Sequence, residues 1–331
     1  MKKHKICKIL LVILAIFLCV AFYELLGICV AYKKQPEVSN TTKKETKNGS
    51  WNECSENTER AVIIEKNPEA LLQRVRLIKN AKKEIILSTF AFQSDESGKL
   101  ILGALHDAAD RGVHIRLLVD GMESWIDMEG NPYFYGLSSH ENVEIKLYNK
   151  ANPLKPWKMM GRMHDKYLIA DGKRYILGGR NTYNYFLGDF PGHKNYDRDV
   201  LVVCDEPEKE NSVNQLLEYF ETIWEQEDSG YFHDNKKLAN RKSVKNAVLE
   251  LQNGYQKYFE ENKERICDTD YTDETFETEK IALVSNPIHT GPKEPVVWYQ
   301  LGELMKNAKE RVKIHTPYIC LLYTSPSPRD R

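Results

Sequence analysis

The sequence predicts an α/β sandwich, and two observations carry this prediction. Helical and strand patterns alternate between residues 68 and 121, and a helix–strand unit from this region recurs near residue 304. The chain has 331 residues, of which 41% are apolar, so it is long enough to bury the cores of about two domains. The formal net charge is −1, which weakens the case for a nucleic-acid partner, and none is expected.

An apolar run opens the chain. Residues 9–32 read ILLVILAIFLCVAFYELLGICVAY, with Glu24 as the single charge, and a helix of this length crosses a hydrocarbon core of ~30 Å. We therefore predict that residues 1–34 are a membrane anchor. A signal peptide cleaved after Ala31 is the alternative, although such signals have shorter apolar regions. Lysines flank the run on both sides, and the short lysine-rich tail favours a single-pass protein with its folded part outside the cytoplasm.

A polar segment follows the anchor. Residues 35–57 lack large apolar residues and periodicity, which predicts a solvated linker. Beyond it, four segments alternate in type. They are a helix in residues 68–83, a strand in 84–92, a helix in 98–112 and a strand in 113–121.

The chain contains an internal repeat. Residues 77–89, LIKNAKKEIILST, align without gaps on residues 304–316, LMKNAKERVKIHT, at an offset of 227. A chance match of two helix–strand units is the alternative, but the identities favour duplication. The last segment, 321–331, contains Ser-Pro-Ser-Pro where a helix is expected, and we interpret it as a non-native tail.

The seven cysteines show no paired close spacing, so no metal site is predicted. Cys54 and Cys267 are candidates for a disulfide if the domain lies in an oxidising compartment, and the sequence leaves their state open.

A candidate site lies in the stretch MHDKYLIADGKRYILGGRN, residues 163–181. His164 and Lys166 are two residues apart, so on a strand their side chains leave the same face. Asp171-Gly172 predicts a two-residue hairpin turn. That register places Gly179 opposite His164 and leaves room for a bulky group beside the imidazole, within reach of the Asn181 amide.

These residue types suit a phosphodiester. An imidazole nitrogen can attack phosphorus and carry the phosphoryl group, while a lysine and an asparagine hold the non-bridging oxygens. A carboxylate is needed to orient the imidazole. Asp197 and Asp199, in the following strand pattern, are the candidates, with Asp197 preferred.

The motif resembles that of the phospholipase D superfamily, and GGRN…DRDVLVV is most similar to its bacterial cardiolipin synthase branch. The resemblance implies a phospholipase D-type α/β/α sandwich, with residues 58–270 as a first repeat and 271–320 as the start of a second. The resemblance implies catalytic roles for His164, Lys166, Asp171 and Asp197, and substrate binding by Gly178, Gly179, Asn181 and Asp199. His164 would be the nucleophile or its acid/base partner, and Asp171 would be mainly structural.

The resemblance implies a membrane-anchored phosphatidyltransferase of the cardiolipin synthase type, with a phospholipid substrate and no cofactor. A hydrolase or nuclease with water as acceptor is one alternative, and a membrane-tethered binding protein is another. The superfamily's site uses two motifs, and the repeat offset places the second histidine near position 391. This chain alone is therefore expected to be inactive, and dimerisation is left open.

Overall fold

The computed structural model describes residues 2–49, 59–204, 211–233 and 235–314, in which a nine-stranded mixed sheet forms the centre. Its strands are β1 (Glu59–Ile64), β2 (Glu84–Thr89), β3 (His114–Asp120), β4 (Val143–Tyr148), β5 (Tyr167–Ala170), β6 (Arg174–Gly178), β7 (Asp199–Cys204), β8 (Ser229–Tyr231) and β9 (Phe276–Glu277).

The α-helices of the described residues include three short ones and seven of nine residues or more. They are α1 (Lys2–Tyr32), α2 (Asn40–Asn48), α3 (Asn67–Asn80), α4 (Glu96–Asp110), α5 (Glu123–Asp127), α6 (Pro132–Ser138), α7 (Ser212–Trp224), α8 (Lys242–Glu261), α9 (Lys263–Cys267) and α10 (Val296–Asn307).

The strand order is β8-β4-β3-β2-β5-β6-β7-β1-β9. Strands β2, β3 and β4 are parallel, and every other neighbouring pair is antiparallel. The start of β5 pairs with the end of β2, Tyr167 opposite Ser88. The residues just before β5 therefore lie at the carboxyl edge of the parallel strands, where ligands of α/β sheets usually bind.

Helices cover both faces of the sheet, which confirms the predicted α/β/α sandwich. Leu87 and Leu117 belong to a cluster with apolar residues of α3, α4 and α8. Their strand neighbours Ile86 and Leu118 belong to a second cluster, with Phe220 of α7. Successive residues of a strand point to opposite faces, so each of these central strands contributes to both cores.

The four predicted elements at the start of the domain are confirmed as α3, β2, α4 and β3. Asp95 caps α4 by accepting the Gly98 N–H at 3.0 Å. Strand β2 ends at Thr89 rather than at residue 92, because Phe92 pairs instead with Thr182 in an isolated bridge.

The predicted linker differs from the structure, because residues 40–48 form helix α2. Ser39 caps its start and accepts the Thr42 N–H at 3.1 Å, and Gly49 ends it in the left-handed conformation. Glu294 accepts hydrogen bonds from the Ser39 N–H and the Thr42 hydroxyl, at 2.9 and 2.6 Å. Local caps and one distant carboxylate therefore order a segment without apolar periodicity.

The repeat is partly reflected in the structure. Helix α10 lies where the alignment with α3 predicts a helix. The strand predicted after it is absent from the described residues, since 308–314 pair with no strand there. The rest of that strand, the proposed tail and Cys54 lie outside the described residues, so the disulfide and tail assignments stay predictions. Cys267 is exposed and unpaired.

Helix α1 is exposed along its apolar length. An 18-residue window within Lys5–Tyr32 has a mean hydropathy of 2.9, so by length and composition this helix can cross a membrane. Its last turns contact the domain, where the Tyr32 hydroxyl donates to the Thr290 carbonyl at 3.0 Å and the Tyr23 hydroxyl donates to the Leu154 carbonyl at 3.1 Å.

Candidate functional site

His164 and Lys166 lie in extended chain immediately before β5, and both contact Phe90, which follows β2. The His164 and Phe90 ring centroids are 4.7 Å apart, and the Lys166 Nζ lies 5.4 Å from the Phe90 centroid. The Lys166 ammonium donates to the His164 carbonyl at 2.8 Å. The structure therefore places the two predicted side chains together, at the carboxyl edge of the sheet.

Lys166 is almost completely buried, with 6% of its surface exposed. Burial lowers the pKa of its ammonium to about 8, against the opposing effect of the Asp165 and Asp197 carboxylates. At neutral pH the ammonium keeps its proton. Because it is buried, it loses few contacts with water when a ligand binds. A phosphate oxygen that reaches Lys166 would thus be paired at a small cost in desolvation.

His164 is exposed on one side while its ring packs against Phe90 on the other. Desolvation and the nearby Lys166 charge lower the pKa of the His164 imidazole, and the Asp165 carboxylate opposes them. The imidazole is therefore neutral at pH 7, which is the form that can attack an electrophile.

The predicted hairpin register is wrong by one residue. Ala170 pairs with Arg174 rather than with Lys173, so the loop has three residues instead of two. Asp171 and Gly172 both have positive φ, 55° and 62°, as the predicted turn requires, but Lys173 is an additional loop residue. As a consequence Gly178 lies beside Lys166, whose carbonyl accepts the Gly178 N–H at 3.1 Å, and Gly179 is not opposite His164.

Asp171 fixes the hairpin loop to the start of β2. Its carboxylate accepts the backbone N–H groups of Lys82, Lys83 and Glu84, with the shortest contact, to Lys83, at 2.7 Å. These contacts lie at the opposite end of β5 from His164. Asp171 therefore acts on the strand that carries the motif and does not reach a substrate at His164.

The two glycines make room for carboxylates rather than for a ligand. A Cβ atom on Gly178 would overlap the Asp199 side chain and the Arg198 carbonyl, and a Cβ on Gly179 would overlap the Asp197 side chain. We expected Gly179 to leave space beside the imidazole. The space is instead taken by Asp197.

Asp197 is partly exposed, and its carboxylate accepts the Arg198 N–H at 2.7 Å. It raises the pKa of Lys166, which shows that its charge acts on the site. In the described structure it makes no hydrogen bond to the His164 ring, so its orienting role stays a prediction.

Asp199 cannot contact a ligand in this structure, which corrects its assignment to substrate binding. Its side chain is fully buried and pairs with Arg74 at 2.9 Å and Arg180 at 3.2 Å. Arg180 also donates to the carbonyls of Ile64 and Glu65. The cluster joins β7, α3 and the segment that carries the glycines, so its role is to hold that segment in place.

Asn181 lies next to this cluster and is 8% exposed. Its Oδ1 accepts the Ala91 N–H at 3.2 Å, which ties it to the residue after Phe90. An amide held through its oxygen presents its NH₂ group as a donor. This geometry suits contact with an anionic oxygen.

Two carboxylates near the motif were not predicted. Asp165 accepts the Tyr219 hydroxyl at 2.7 Å, and burial raises its pKa. Asp120 is fully buried, accepts the Met163 N–H at 3.0 Å and pairs with Arg162 at 3.1 Å. Asp120 ends the run LLVD at the carboxyl edge of β3, and a polar residue in that position is the signal that would have indicated it.

A cavity of about 380 Å³ adjoins the motif. Its lining includes His164, Lys166 and Gly178 of the motif, Leu216 and Tyr219 of α7, and residues 283–286 with Lys293 and Val297. Among these described lining residues, His164 is the single histidine.

The segment that carries the motif is similar in sequence to known proteins. Residues 74–224 match the family model described as cardiolipin synthase, PLD-like domain. Cardiolipin synthase C of Escherichia coli is 29% identical over 171 residues, which cover 47% of this chain and 34% of that protein. An uncharacterized protein of Helicobacter pylori is 30% identical over 212 residues, which cover 60% of this chain. The chain spans 39% of the length of that relative.

A solved structure of similar fold is the phosphatidylserine synthase of Haemophilus influenzae. It is 16% identical, with a TM-score of 0.45, and the match covers 74% of this chain and 52% of that one.

Proposed function

We propose that the chain belongs to a membrane-anchored phosphatidyltransferase that resembles cardiolipin synthase, because residues 74–224 match the model of that family. The observation that carries the proposal is the joint placement of a neutral imidazole and a buried ammonium at one sheet edge, within one cavity. The phospholipid substrate and the membrane as partner rest on the similar relatives and on the apolar length of α1.

The proposed reaction has two displacements. An imidazole nitrogen of His164 attacks phosphorus, the bond to the first alcohol breaks, and a phosphatidyl-histidine forms. A hydroxyl of a second lipid then attacks phosphorus, loses its proton, and releases the imidazole. Lys166 and the Asn181 amide hold the non-bridging oxygens in both steps, and Asp197 orients the imidazole.

The first alcohol needs a proton as it leaves, and the attacking hydroxyl of the second lipid must give up its proton. One acid/base group that donates in the first step and accepts in the second balances both. Since the described cavity lining contains one histidine, the proposal assigns this group to a second motif outside the described residues, in the same protein or in a second copy. The whole reaction, including formation of the histidine adduct, is therefore proposed for the complete protein.

The adduct can be trapped. We expect incubation of the membrane-embedded complete protein with a phosphatidylglycerol labelled in its phosphate to leave an acid-labile, base-stable label on the protein. His164→Ala should abolish it, and Lys166→Ala should reduce it at least 100-fold, because an unpaired oxyanion costs about 3 kcal/mol. The matched control is His193→Ala, which removes an exposed histidine outside the described cavity.

Lipid product analysis of the complete protein separates the alternatives. A transferase yields a product that contains two phosphatidyl groups, whereas a hydrolase yields phosphatidic acid even when a lipid alcohol is in excess. Label on His164→Ala at the level of the parent contradicts the nucleophile assignment, whereas His193→Ala should keep the label. Absence of label together with absence of product in the complete protein supports a non-catalytic binding protein.

A further inference from the structure

Large apolar side chains are exposed on two connecting loops. The first loop follows β3 and includes the short helix α5, and the second loop follows β4. We call this set of side chains the apolar patch. It comprises Trp125, Ile126, Leu154, Trp157 and Met160, which are between 46% and 76% exposed. Single exposed apolar residues are ordinary on a soluble surface, but a contiguous set of this size marks a contact with a protein or a membrane.

The two loops are neighbours. Trp125 of the first loop and Pro153 of the second line the same cavity of about 450 Å³, together with Leu147 and Phe232. The backbone of Gly121, at the start of the first loop, lies directly against Lys150. The two loops that carry the apolar patch are therefore adjacent on the surface.

The second loop is also in contact with α1. The Leu154 carbonyl accepts the Tyr23 hydroxyl at 3.1 Å. Pro156 lies so close to Gly27 that a Cβ atom on that glycine would overlap the proline ring. The apolar patch is thus continuous with the helix that has the length and composition of a membrane span.

From these contacts we infer that the apolar patch inserts into the interfacial layer of the same membrane leaflet from which α1 emerges. The inference rests on the proposed membrane anchor. If the span begins at Ile9, the ~20 residues that cross a bilayer end at Ile28. Tyr23 lies five residues earlier, which is ~7.5 Å along the helix. Elements that lie in the membrane interface are buried by ~5–10 Å. Leu154, whose carbonyl accepts the Tyr23 hydroxyl, therefore lies at a depth typical of the interface.

The chemistry of the apolar patch suits the interface. Tryptophan is enriched at the boundary between headgroups and acyl chains, because its ring is apolar and its N–H is polar. Lys155, between Leu154 and Trp157, is exposed and can reach lipid phosphates. Glu24 lies three residues before Gly27, and its carboxylate oxygens are shielded from solvent. The one acidic residue of the span is therefore turned away from open solvent, near the helix face that meets the loop.

The second loop leads directly into the motif, since Met160 is four residues before His164. Insertion of the apolar patch would hold the site at the level of the lipid headgroups. A phospholipid could then present its phosphate to His164 without leaving the bilayer.

The test uses the full chain in vesicles of phosphatidylethanolamine and phosphatidylglycerol whose acyl chains carry bromine near the carbonyl end. Bromine quenches tryptophan fluorescence at short range, so we expect these lipids to quench the parent chain. The double variant Trp125→Phe/Trp157→Phe should lose at least half of the quenched emission. Both tryptophans are exposed, so phenylalanine leaves the core intact.

Trp298→Phe is the control, because Trp298 is 55% exposed on α10 and lies outside the apolar patch. It should retain the parent's quenching. The inference is overturned if the double variant is quenched as strongly as the parent, or if neither is quenched. Protection of Trp125 and Trp157 from iodide in water without quenching by lipid would show that a second copy of the chain covers the patch. Trapping of the histidine adduct is a separate readout, so its failure leaves this result unaffected.

Discussion

Lys166 carries its positive charge where water hardly reaches it. Burial lowers the pKa of its ammonium from the ordinary value of 10.5 to about 8. The folded protein therefore holds this proton less firmly than the unfolded chain does, and the charge destabilises the fold below pH 8. A group that weakens the fold and contacts the proposed nucleophile is typical of a functional site.

We expect Lys166→Met to stabilise the folded domain at pH 7, on the order of 2 kcal/mol, while it abolishes the histidine adduct. Between pH 8 and 10.5 the unfolded chain binds more protons, so the stability of the parent rises with pH in this window. The stability advantage of Lys166→Met over the parent should shrink between pH 8 and 10.5 and vanish above pH 10.5. Thermal unfolding in detergent at several pH values measures this.

Lys173→Met serves as the comparison, because Lys173 is exposed in the hairpin loop. Its effect on stability should be close to zero at every pH. A Lys166→Met variant that is less stable than the parent at pH 7 would show that the ammonium is stabilised by its neighbours rather than strained by burial.

At the residue scale, the sequence predicted which residues belong to the site better than it predicted what those residues contact. The spacing of His164, Lys166 and Asn181 indicated the chemistry, and the structure brings the three to one sheet edge. The sequence did not reveal that the Asp199 carboxylate is paired with two arginines. Arg74 is distant in sequence, and nothing in its own helix pattern marks it as the partner of a buried carboxylate.

At the scale of elements, the hairpin of β5 and β6 decides what the glycines do. A loop longer by one residue changes which residues face each other, and in a strand this exchanges the two faces. Asp-Gly indicates the turn type but does not determine whether an additional residue follows. The type of turn could therefore be predicted, while the partner of His164 could not.

The two glycines should differ in their tolerance of a methyl group. In Gly178→Ala the new Cβ meets the Arg198 backbone and the buried Asp199, neither of which can move freely. We therefore expect the free energy of unfolding to fall by about 2–3 kcal/mol. In Gly179→Ala the Cβ meets only the Asp197 side chain, which is partly exposed and can rotate, so the loss should stay below ~1 kcal/mol. Chemical unfolding of the two variants measures the difference. Equal losses would show that Asp197 is held as rigidly as Asp199.

At the scale of the molecule, the alternating pattern was sufficient to predict the layered fold, because each central strand contributes to two cores. The order of α2 was not predictable, since the carboxylate that binds it is Glu294, far along the chain. Long-range polar contacts of this kind leave no periodic signal in the sequence.

The whole chain should remain with the membrane fraction in high salt and be released by detergent. Apolar area rather than charge would hold Lys5–Tyr32 in the bilayer, and salt screens only charge. Fractionation of cells followed by determination of the N-terminus tests this. A soluble form that begins at Tyr32 would identify the segment as a signal peptide and would contradict the anchor.

Helix α1 is unbroken through the whole apolar run to Tyr32, whose hydroxyl donates to the Thr290 carbonyl. If α1 crosses the bilayer, it is a rigid stalk rather than a flexible tether. The domain would then keep a constant tilt toward the lipid surface and would not tumble above it. Encounters between His164 and its substrates would follow from lateral diffusion in two dimensions, so that the reaction rate should depend on the mole fraction of substrate in the bilayer rather than on its bulk concentration.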